Sequence, residues 1–586
     1  MSKRTANPHG PLPGRLRTAS QPSAILASTE SLLLVATAIA TAGLLFFKAY
    51  LVHRLNINWD EFFYLNHVHA VARGDGGPLL QRFQTHLFAW LTRLEGDEIA
   101  QILAARAVMV ALLALTTFLV WRLGRTWLQG WPAAIPPLVY VSAVPVMTHG
   151  GSFRADSMLA PLTVLALVLL FRPDRRRSHE ILAGCALGLA GAITIKVALA
   201  APLVFAAIVF RPRADNRMPW PGLADAGSST LRVGAAAAVA FVVLIGVHWL
   251  LVGQTSMDPS VALGTASAKK TLLDTPLYRQ GRYFVDYVRW QPLPWLLMLT
   301  GVVLAIARRR LDVASLALAL LPVVIYRNAF PYYYVVMLAP ASVLAGFAVQ
   351  ELRGALSQRP ANWIVTAVTA IIGIGLLYQA LAYHGRLMVD QQWNQEQLIA
   401  AVHQVFPEPV NYVDRCGMVS SFRKVNFFMS TWGMDTYRER GEPFMAAAIR
   451  EHRPAFVLVN SSALNPNRRI DTGLLPEDYD LIARYYPKYW GPLRVAGASA
   501  VVDDGAPVRL RVPFPASYRV WSSRPVLIDG VERASGDAVD VPEQGVSVSL
   551  APRADDAAPA KLRLFLASAR PAPEEQLPGL PLFTGL

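Results

Sequence analysis

Long apolar segments separated by charged loops make up the chain from about Ser31 to Tyr383. They are 14 to 22 residues long, against the roughly 20 residues that a helix needs to cross a bilayer. The pattern therefore predicts a polytopic α-helical membrane protein. The segments of this kind lie at Ser31–Val52, Ile102–Leu123, Trp131–Thr148, Ser157–Phe171, Leu231–Val252, Pro292–Ala307, Val313–Tyr326, Tyr333–Val349 and Trp363–Tyr383.

One further apolar region, Ile181–Phe210, is too long for one ordinary span and short for two, and Lys196 sits in its middle. Loop charge separates the two interpretations. If the region is a hairpin, the basic clusters Arg211–Arg217, Arg308–Arg310 and Arg353–Arg359 all face the cytoplasm; if it is one span, they all face outward. The positive-inside rule favours the hairpin. The prediction is then about eleven spans, with a cytoplasmic N-terminus and an extracytoplasmic C-terminal part.

The pattern changes after Tyr383. Short strands at Asn411–Val413 and Ala455–Asn460, with a helix at Phe444–His452 before the second, predict a small α/β unit. From Pro507 onward the signals are those of a β domain: Val508–Val512, Val526–Val531 with a hairpin turn at Asp529-Gly530, and Val546–Leu550.

We therefore divide the chain into five parts. They are a cytoplasmic tail (1–30), a transmembrane domain (31–385) with long outer loops at 53–101 and 253–290, an extracytoplasmic α/β domain (386–505), a small β domain (506–570) and an irregular tail (571–586). In the first outer loop, the mixture of apolar and basic positions over Leu79–Leu94 predicts a helix lying in the membrane interface.

Composition supports this assignment. The 586 residues are 53% hydrophobic and only 16% charged, whereas soluble domains carry about a quarter charged residues. The net charge of +15 is concentrated in short runs between apolar segments, which is typical of cytoplasmic loops and not of nucleic-acid binding. The cysteines, Cys185 in an apolar segment and Cys416 in the polar C-terminal part, are not expected to pair.

The first candidate catalytic residues, Asp60 and Glu61, lie just after the first apolar segment and are flanked by aromatic residues. Acids at a membrane boundary are costly to desolvate, and aromatic flanks are typical of the headgroup level. One of the two carboxylates could act as a general base on an acceptor hydroxyl. The other interpretation is a solvated loop acid or a helix N-cap.

Two further groups are predicted on the same side of the membrane. Arg154 and Asp156 lie in a short outer loop that leads into an apolar helix. Arg154 is suited to bind an anion. Asp156 could simply cap that helix together with Ser157. Lys196, inside the predicted hairpin, must snorkel, pair with an acid or bind a lipid phosphate.

Bases interleaved with aromatic residues mark two more outer segments. The loop Gly253–Trp290 contains Lys269, Lys270, Arg279, Arg282 and Arg289 among tyrosines, and this set could hold a phosphate and a sugar or make ordinary headgroup contacts. We expect this loop to be mobile without donor and ordered with it. Arg327 precedes Tyr332, which belongs either to an interfacial aromatic belt or to a sugar site. His67 and His69 lack a third metal ligand in the motif, and no glycine-rich phosphate loop is present.

These motifs, in this order, resemble the GT-C glycosyltransferases, and in particular the bacterial relatives of the protein O-mannosyltransferases and lipid A aminoarabinose transferases. The resemblance covers roughly Ser31–Gly385. It is carried by Asp60-Glu61 with Tyr64, by Arg154-Ala155-Asp156, by Lys196 in a short hairpin, and by Phe330–Tyr334 ahead of a span that contains Pro340.

The resemblance implies an inverting enzyme with an outward-facing site and a polyprenyl-phosphate sugar donor. The catalytic base would be Asp60 or Glu61. Binding of donor and sugar would fall to Tyr64, Arg154, Asp156, Lys196, Arg279, Arg282, Arg327 and Tyr332. The partners would be that donor, an envelope acceptor and membrane lipids, without nucleic acid, in a bacterial-type inner membrane; the sequence requires no metal and leaves a divalent ion open. A flippase for lipid-linked sugars and a non-catalytic assembly protein are the competing functions.

Overall fold

The computed structural model describes residues 24–75, 83–212, 223–252, 277–357, 362–384, 392–503, 506–551, 559–577 and 582–583. The predicted apolar segments are helical within these ranges. The helices of the apolar part are α1 Ala24–Leu51, α2 Trp59–Ala72, α3 Gln84–Leu87, α4 Glu98–Gly124, α5 Ile135–Ser142, α6 Val144–His149, α7 Ala155–Leu170, α8 Arg177–Ile193, α9 Ala201–Val209, α10 Leu223–Val252, α11 Gly281–Trp290, α12 Pro292–Ala307, α13 Leu311–Ala314, α14 Leu321–Ile325, α15 Tyr334–Ser357 and α16 Asn362–His384.

Several of the predicted spans are broken helices. Trp131–Thr148 divides at Ala143 into α5 and α6, and Val313–Tyr326 consists of two short helices joined by a 3₁₀ segment. By length and composition alone, four described helices could cross a membrane, or five if the pair α11 and α12, bent by 105°, counts as one span. The total of about eleven spans therefore stays a prediction.

The ambiguous region Ile181–Phe210 folds as two helices. Thr194 interrupts the helical backbone, and a 3₁₀ segment, Ile195–Ala200, leads into α9. Arg175, just before α8, donates hydrogen bonds to the carbonyls of Ala207 and Ile208 near the end of α9 (3.1 and 3.3 Å). Both ends of the pair therefore lie at one face, as the hairpin interpretation requires.

The basic loops share that face of the bundle. Arg211 donates to the carbonyl of Pro173, and Phe171 packs against Trp127, whose indole N–H bonds to Asp312 (2.8 Å). The further contacts at this face are Arg308 with Glu351 and Arg353 with Glu30 (3.0 and 2.6 Å). Arg213, Arg217 and Arg359 lie outside the described residues, as do Lys269, Lys270 and most of the predicted loop 253–290.

The opposite face carries α2 and the short segments around it. The described part of Leu79–Leu94 is not one continuous helix, because α3 and a 3₁₀ segment, Ala89–Arg93, meet at Phe88. Phe88 and Leu91 are buried against Phe153 and α2, while Leu87, Trp90 and Leu94 are exposed. The prediction of a single helix was wrong, and its location in the membrane interface stays a prediction.

A mixed α/β unit follows the helical bundle. Its helices are α17 Trp393–Val405, α18 Thr431–Arg440, α19 Met445–His452 and α20 Pro476–Tyr485, and its strands are β1 Asn411–Val413, β2 Arg423–Lys424, β3 Phe456–Leu458, β4 Lys488–Trp490 and β5 Leu493–Val495. The strand order is β2-β1-β3-β5-β4, with β1 parallel to both of its neighbours.

The last unit is a sandwich of two four-stranded sheets. Its strands are β6 Gly497–Val502, β7 Val508–Leu510, β8 Ala516–Ser522, β9 Val526–Ile528, β10 Val531–Arg533, β11 Ala538–Val541, β12 Val546–Leu550 and β13 Ala560–Leu566. The predicted turn at Asp529-Gly530 is present, with both residues at positive φ. Because β6 pairs with β13, the sandwich begins before the predicted boundary at residue 506. The described residues 571–577 of the predicted irregular tail form no helix or strand.

Candidate functional site

The acid motif forms the first turn of α2. The side chain of Asn58 accepts a hydrogen bond from the backbone N–H of Asp60 (3.0 Å), and the N–H of Asn58 donates to Glu61 (3.3 Å). This reciprocal arrangement is a capping box, and it fixes where α2 begins. Its consequence is that the two neighbouring carboxylates point into different surroundings.

Glu61 is enclosed in the protein. Arg106 of α4 donates to both of its carboxylate oxygens (2.7 Å each), and the N–H of Phe153 adds a third bond (3.0 Å). The side chains of Glu61 and Arg106 are 1% and 3% exposed. Burial alone would raise the pKa of Glu61, but Arg106 and these hydrogen bonds hold it below its usual value. The structure thus gives Glu61 the environment of a buried ion pair.

Asp60 belongs to a second charged group formed by three separate elements. Arg154 pairs with Asp60, and its Nε lies 3.7 Å from Oδ2 of Asp156 in the first turn of α7. Asp156 also accepts two contacts from the ammonium of Lys196, at 2.9 and 3.2 Å. We call these four residues the charged cluster. It joins three motifs that lie at least 40 residues apart in the sequence, and its formal charges sum to zero.

Aromatic rings enclose the charged cluster. The ring of Tyr332 stacks on Arg154, with the guanidinium carbon 3.5 Å from the ring centroid, and lies 5.0 Å from the ammonium of Lys196. Burial raises the pKa of the Tyr64 hydroxyl, while the nearby positive charges of Lys196 and Arg154 oppose that shift. Tyr64 therefore lies within electrostatic reach of the cluster.

The four members of the cluster differ in accessibility. The side chains of Asp60 and Lys196 are 19% and 21% exposed, whereas those of Arg154 and Asp156 are 3% and 1% exposed. Two groups of opposite charge can therefore meet a ligand, and the two buried groups hold them in place. Such an arrangement can bind an anion at one end and accept a proton at the other.

The α/β unit covers α2 on the side of Asp60. Arg415, after β1, stacks on the ring of Trp59 (3.9 Å). Burial lowers the pKa of Arg415, and the nearby carboxylate of Asp60 is one of the groups that oppose this shift. Phe428 stacks on Phe63 of α2 with ring centroids 4.0 Å apart. The site is consequently built by the helical bundle and the α/β unit together.

Three predicted arginines lie elsewhere. Arg327 bonds to Asp435 of α18 (3.2 Å) and so connects the bundle to the α/β unit. Arg282 is exposed and donates to the hydroxyl of Tyr283 (2.8 Å), and Arg279 is exposed just before α11. The ring of Tyr283 contacts Phe330, which contacts Tyr332, so α11 reaches the charged cluster through two aromatic contacts.

Arg106 and Lys48 were not among the residues predicted from the sequence. Lys48 is 1% exposed in α1 and donates to the carbonyl of Thr148 (3.2 Å). A signal was available, because a charged residue inside an apolar helix needs a partner. The identity of the partner was not available, since Arg106 and Glu61 are 45 positions apart. Arg415, 355 positions from Asp60, gave no local signal.

Within the described ranges, no group of three or more His, Cys, Asp or Glu side chains is arranged to hold a metal ion.

Comparison with solved structures identifies the fold. No family model and no curated protein matches the sequence. Among solved structures, ArnT from Cupriavidus metallidurans bound to undecaprenyl phosphate is similar, with a TM-score of 0.53, 15% identity, and coverage of 79% of this chain and 97% of that chain. The chain has the fold of a GT-C glycosyltransferase.

Two further structures support the GT-C fold. The apo state of the same ArnT gives a TM-score of 0.51 with 17% identity, covering 80% of this chain and 98% of that chain. The apo oligosaccharyltransferase from Archaeoglobus fulgidus gives 0.50 with 13% identity, covering 79% and 73%. The resemblance expected from the motifs is confirmed at the level of the fold, and the chain is a multi-pass membrane protein with a β-rich C-terminal region.

Proposed function

We propose that the protein is an inverting glycosyltransferase that moves a monosaccharide from a polyprenyl-phosphate donor to an envelope acceptor on the outer face of a bacterial-type inner membrane. The observation that carries this proposal is the charged cluster, in which a reachable carboxylate and a reachable ammonium are held by buried partners beneath Tyr332. The GT-C fold supports it, since ArnT, which shares that fold, has been captured with undecaprenyl phosphate.

In the proposed reaction, an acceptor hydroxyl oxygen attacks the anomeric carbon of the donor sugar. The bond from that carbon to the phosphate oxygen breaks, and its electron pair leaves with the lipid phosphate. The proton of the hydroxyl passes to a carboxylate of the enzyme, and the anomeric configuration inverts because one displacement takes place.

We assign the base to Asp60 and not to Glu61. A base must reach the proton it removes, and Asp60 is partly exposed while Glu61 is buried. Both oxygens of Glu61 are also engaged by Arg106. Glu61 then has a structural role, since it positions the start of α2 and neutralises a buried arginine.

Lys196 is the proposed ligand of the donor phosphate. Its ammonium is accessible, and Asp156 and the ring of Tyr332 orient it. Charge develops on the leaving phosphate in the transition state, and a preorganised cation stabilises that charge. Arg154 adds positive charge behind it. We propose that Tyr332 and Tyr64 face the sugar.

The exposed arginines Arg279 and Arg282 are proposed to meet the lipid phosphate at the entrance near α11. Arg327 is proposed to act on substrate binding through its contact with Asp435, which holds the α/β unit in place beside the site.

A donor assay tests the function. Purified full-length protein in detergent would receive either a synthetic polyprenyl-phosphate sugar or the matching nucleotide sugar, with a set of envelope lipids and glycans as acceptors. We expect a transferred sugar with the lipid donor only. Efficient use of a nucleotide sugar alone would contradict the proposal, and the Lys196→Met variant should lower the affinity for the lipid donor without changing that for the acceptor.

A further inference from the structure

The hairpin α8–α9 and helix α10 enclose a second polar cavity. Its volume is about 240 Å³, and it is lined mainly by arginines at the start of α8, the end of α9 and the first turns of α10. The arginines are Arg175, Arg176, Arg177, Arg211 and Arg232. Two acids, Glu180 and Asp225, also line it and offset two of the five positive charges, so the lining carries a formal charge of +3.

This basic cavity lies at the far end of the bundle from the charged cluster. Helix α7 begins beside Asp156 and ends before the loop that carries Arg175, and α8 returns from that loop toward Lys196. At 1.5 Å per residue, the 16 residues of α7 separate the two regions by about 24 Å. The cavity therefore belongs to the face with the basic loops and is not part of the proposed active site.

Two of the five arginines, Arg175 and Arg232, form ion pairs with Glu180 inside the cavity. Glu180, 4% exposed, bonds to Arg232 (2.5 Å) and to Ser229 (2.7 Å) of α10 and lies 3.3 Å from Arg175. Arg175 also donates to the carbonyl of Leu170 (3.0 Å), in addition to its two bonds to the end of α9. These residues hold the three helix ends together.

The rest of the charge is available to a ligand. Arg176 and Arg177 are exposed, and neither forms an ion pair with any acid in the described part of the chain. They lie at the start of α8, where the helix dipole also favours an anion. Two unneutralised guanidinium groups at the rim of a cavity with a net positive lining are suited to bind a phosphate group bidentately.

The surroundings indicate that the phosphate belongs to a lipid. Directly beside the cavity lining, Ile181 and Leu182 follow Glu180 on α8, and Leu231 precedes Arg232 on α10; these side chains are 47%, 56% and 73% exposed. Exposed apolar residues of membrane helices face acyl chains. A basic pocket between membrane helices at the cytoplasmic side is a characteristic binding site for anionic phospholipid headgroups.

We propose that the basic cavity binds the phosphate of an anionic phospholipid from the leaflet opposite the active site. The binding holds the ends of α8, α9 and α10 at that face. It does not depend on the proposed glycosyl transfer, because a resident lipid at this position takes no part in the reaction.

Native mass spectrometry of the full-length protein tests the proposal. The delipidated protein would be titrated with phosphatidylglycerol, with phosphatidylcholine and with inorganic phosphate. The variant Arg176→Gln/Arg177→Gln removes two exposed charges from the cavity rim. The matched control, Arg122→Gln/Arg125→Gln, removes two exposed charges at the same face but outside the cavity.

We expect phosphatidylglycerol to bind in preference to phosphatidylcholine, and the cavity variant to weaken that binding roughly 10- to 30-fold relative to the control. Equal weakening in both variants would overturn the proposal, since the effect would then come from the net charge of the face. Binding of inorganic phosphate as tight as that of phosphatidylglycerol, and equally sensitive to the cavity variant, would assign the site to a soluble phosphate compound and overturn the lipid.

Discussion

Asp60 and Glu61 show how two neighbouring carboxylates acquire different chemistry. The capping box turns Glu61 inward to Arg106, while Asp60 stays at the surface of the charged cluster. From the sequence, we predicted that one acid of the pair is the base, without deciding which. The two acids differ because Glu61 is bound by Arg106 of α4, a partner 45 positions away that the local sequence does not reveal.

We expect Glu61→Gln to destabilise the protein by roughly 3–5 kcal/mol, because it leaves Arg106 as an uncompensated buried charge. The midpoint of thermal unfolding in detergent measures this. Glu95→Gln is the control, since Glu95 is an exposed acid in the same outer segment. A Glu61→Gln protein with an unchanged midpoint and no turnover would make Glu61 the base instead.

A pH-dependent contact is expected at His403 of α17, which lies 3.0 Å from Glu98 at the start of α4. Burial lowers the pKa of His403, but the hydrogen bond and charge of Glu98, with the charge of Asp97, outweigh it and raise the pKa above its usual value. A raised pKa stabilises the folded state below the unfolded pKa of about 6.5, and this stabilisation is lost as pH rises through the folded pKa.

Thermal unfolding across a pH series checks this expectation. The unfolding midpoint of the wild type should exceed that of His403→Gln most at acidic pH. The difference between the two midpoints should disappear at alkaline pH. A difference that stays constant across the series would show that the contact does not depend on protonation of His403.

At the scale of elements, the packing of α8 on α10 depends on glycine. A Cβ atom at Gly188 would lie 2.4 Å from the carbonyl oxygen of Ala237 and 2.7 Å from Cβ of Ala240, and Gly184 meets α10 equally closely. Small residues four positions apart are the usual means by which membrane helices approach closely. This close approach also brings Glu180 to Arg232 and so forms the basic cavity.

Gly188→Ala should therefore destabilise the protein by roughly 1–3 kcal/mol through overpacking. Gly234→Ala, on α10, is the control: nothing lies within 4 Å of its Cβ position, so it should stabilise the helix by roughly 0.5–1 kcal/mol. Thermal unfolding of the two variants should thus give shifts of opposite sign. Two shifts of the same sign would contradict this account of the α8–α10 interface.

The elements themselves were largely predictable. The length and periodicity of the apolar segments predicted the helices of the bundle. The charge of the loops favoured the hairpin for Ile181–Phe210, and the structure has two helices there. The break at Ala143 was not predicted, because the backbone groups beside it bond to the side chain of Gln291, which accepts from the N–H of Val144 and donates to the carbonyl of Ser142. The short α3 was not predicted either, since it ends at Phe88, which packs on the distant Phe153. Strands β6, β8, β11 and β13 were missed, since their alternating patterns are short and their pairing partners lie far along the chain.

At the scale of the whole molecule, the charged cluster and the basic cavity lie at opposite ends of one bundle, and the α/β unit covers only the first. The positive-inside rule assigns the basic face to the cytoplasm. We therefore expect the C-terminal units to be extracytoplasmic. Alkaline phosphatase fused after Leu586 should be active, and a reporter that works only in the cytoplasm should be inactive at that position. The reverse pattern would place the charged cluster on the cytoplasmic side.

The central claim, that Asp60 is the base of a sugar transfer, is tested most directly by single-turnover transfer with purified Asp60→Asn. The substitution keeps the size of the side chain and removes the proton acceptor. We predict that the rate of transfer falls by roughly 10²- to 10⁴-fold, while the affinity for the lipid donor stays close to that of wild type and of Glu95→Gln. The unfolding midpoint should fall by less than that of Glu61→Gln, because the buried Arg154 keeps Asp156 as a second carboxylate partner. Transfer by Asp60→Asn at the wild-type rate would contradict the account.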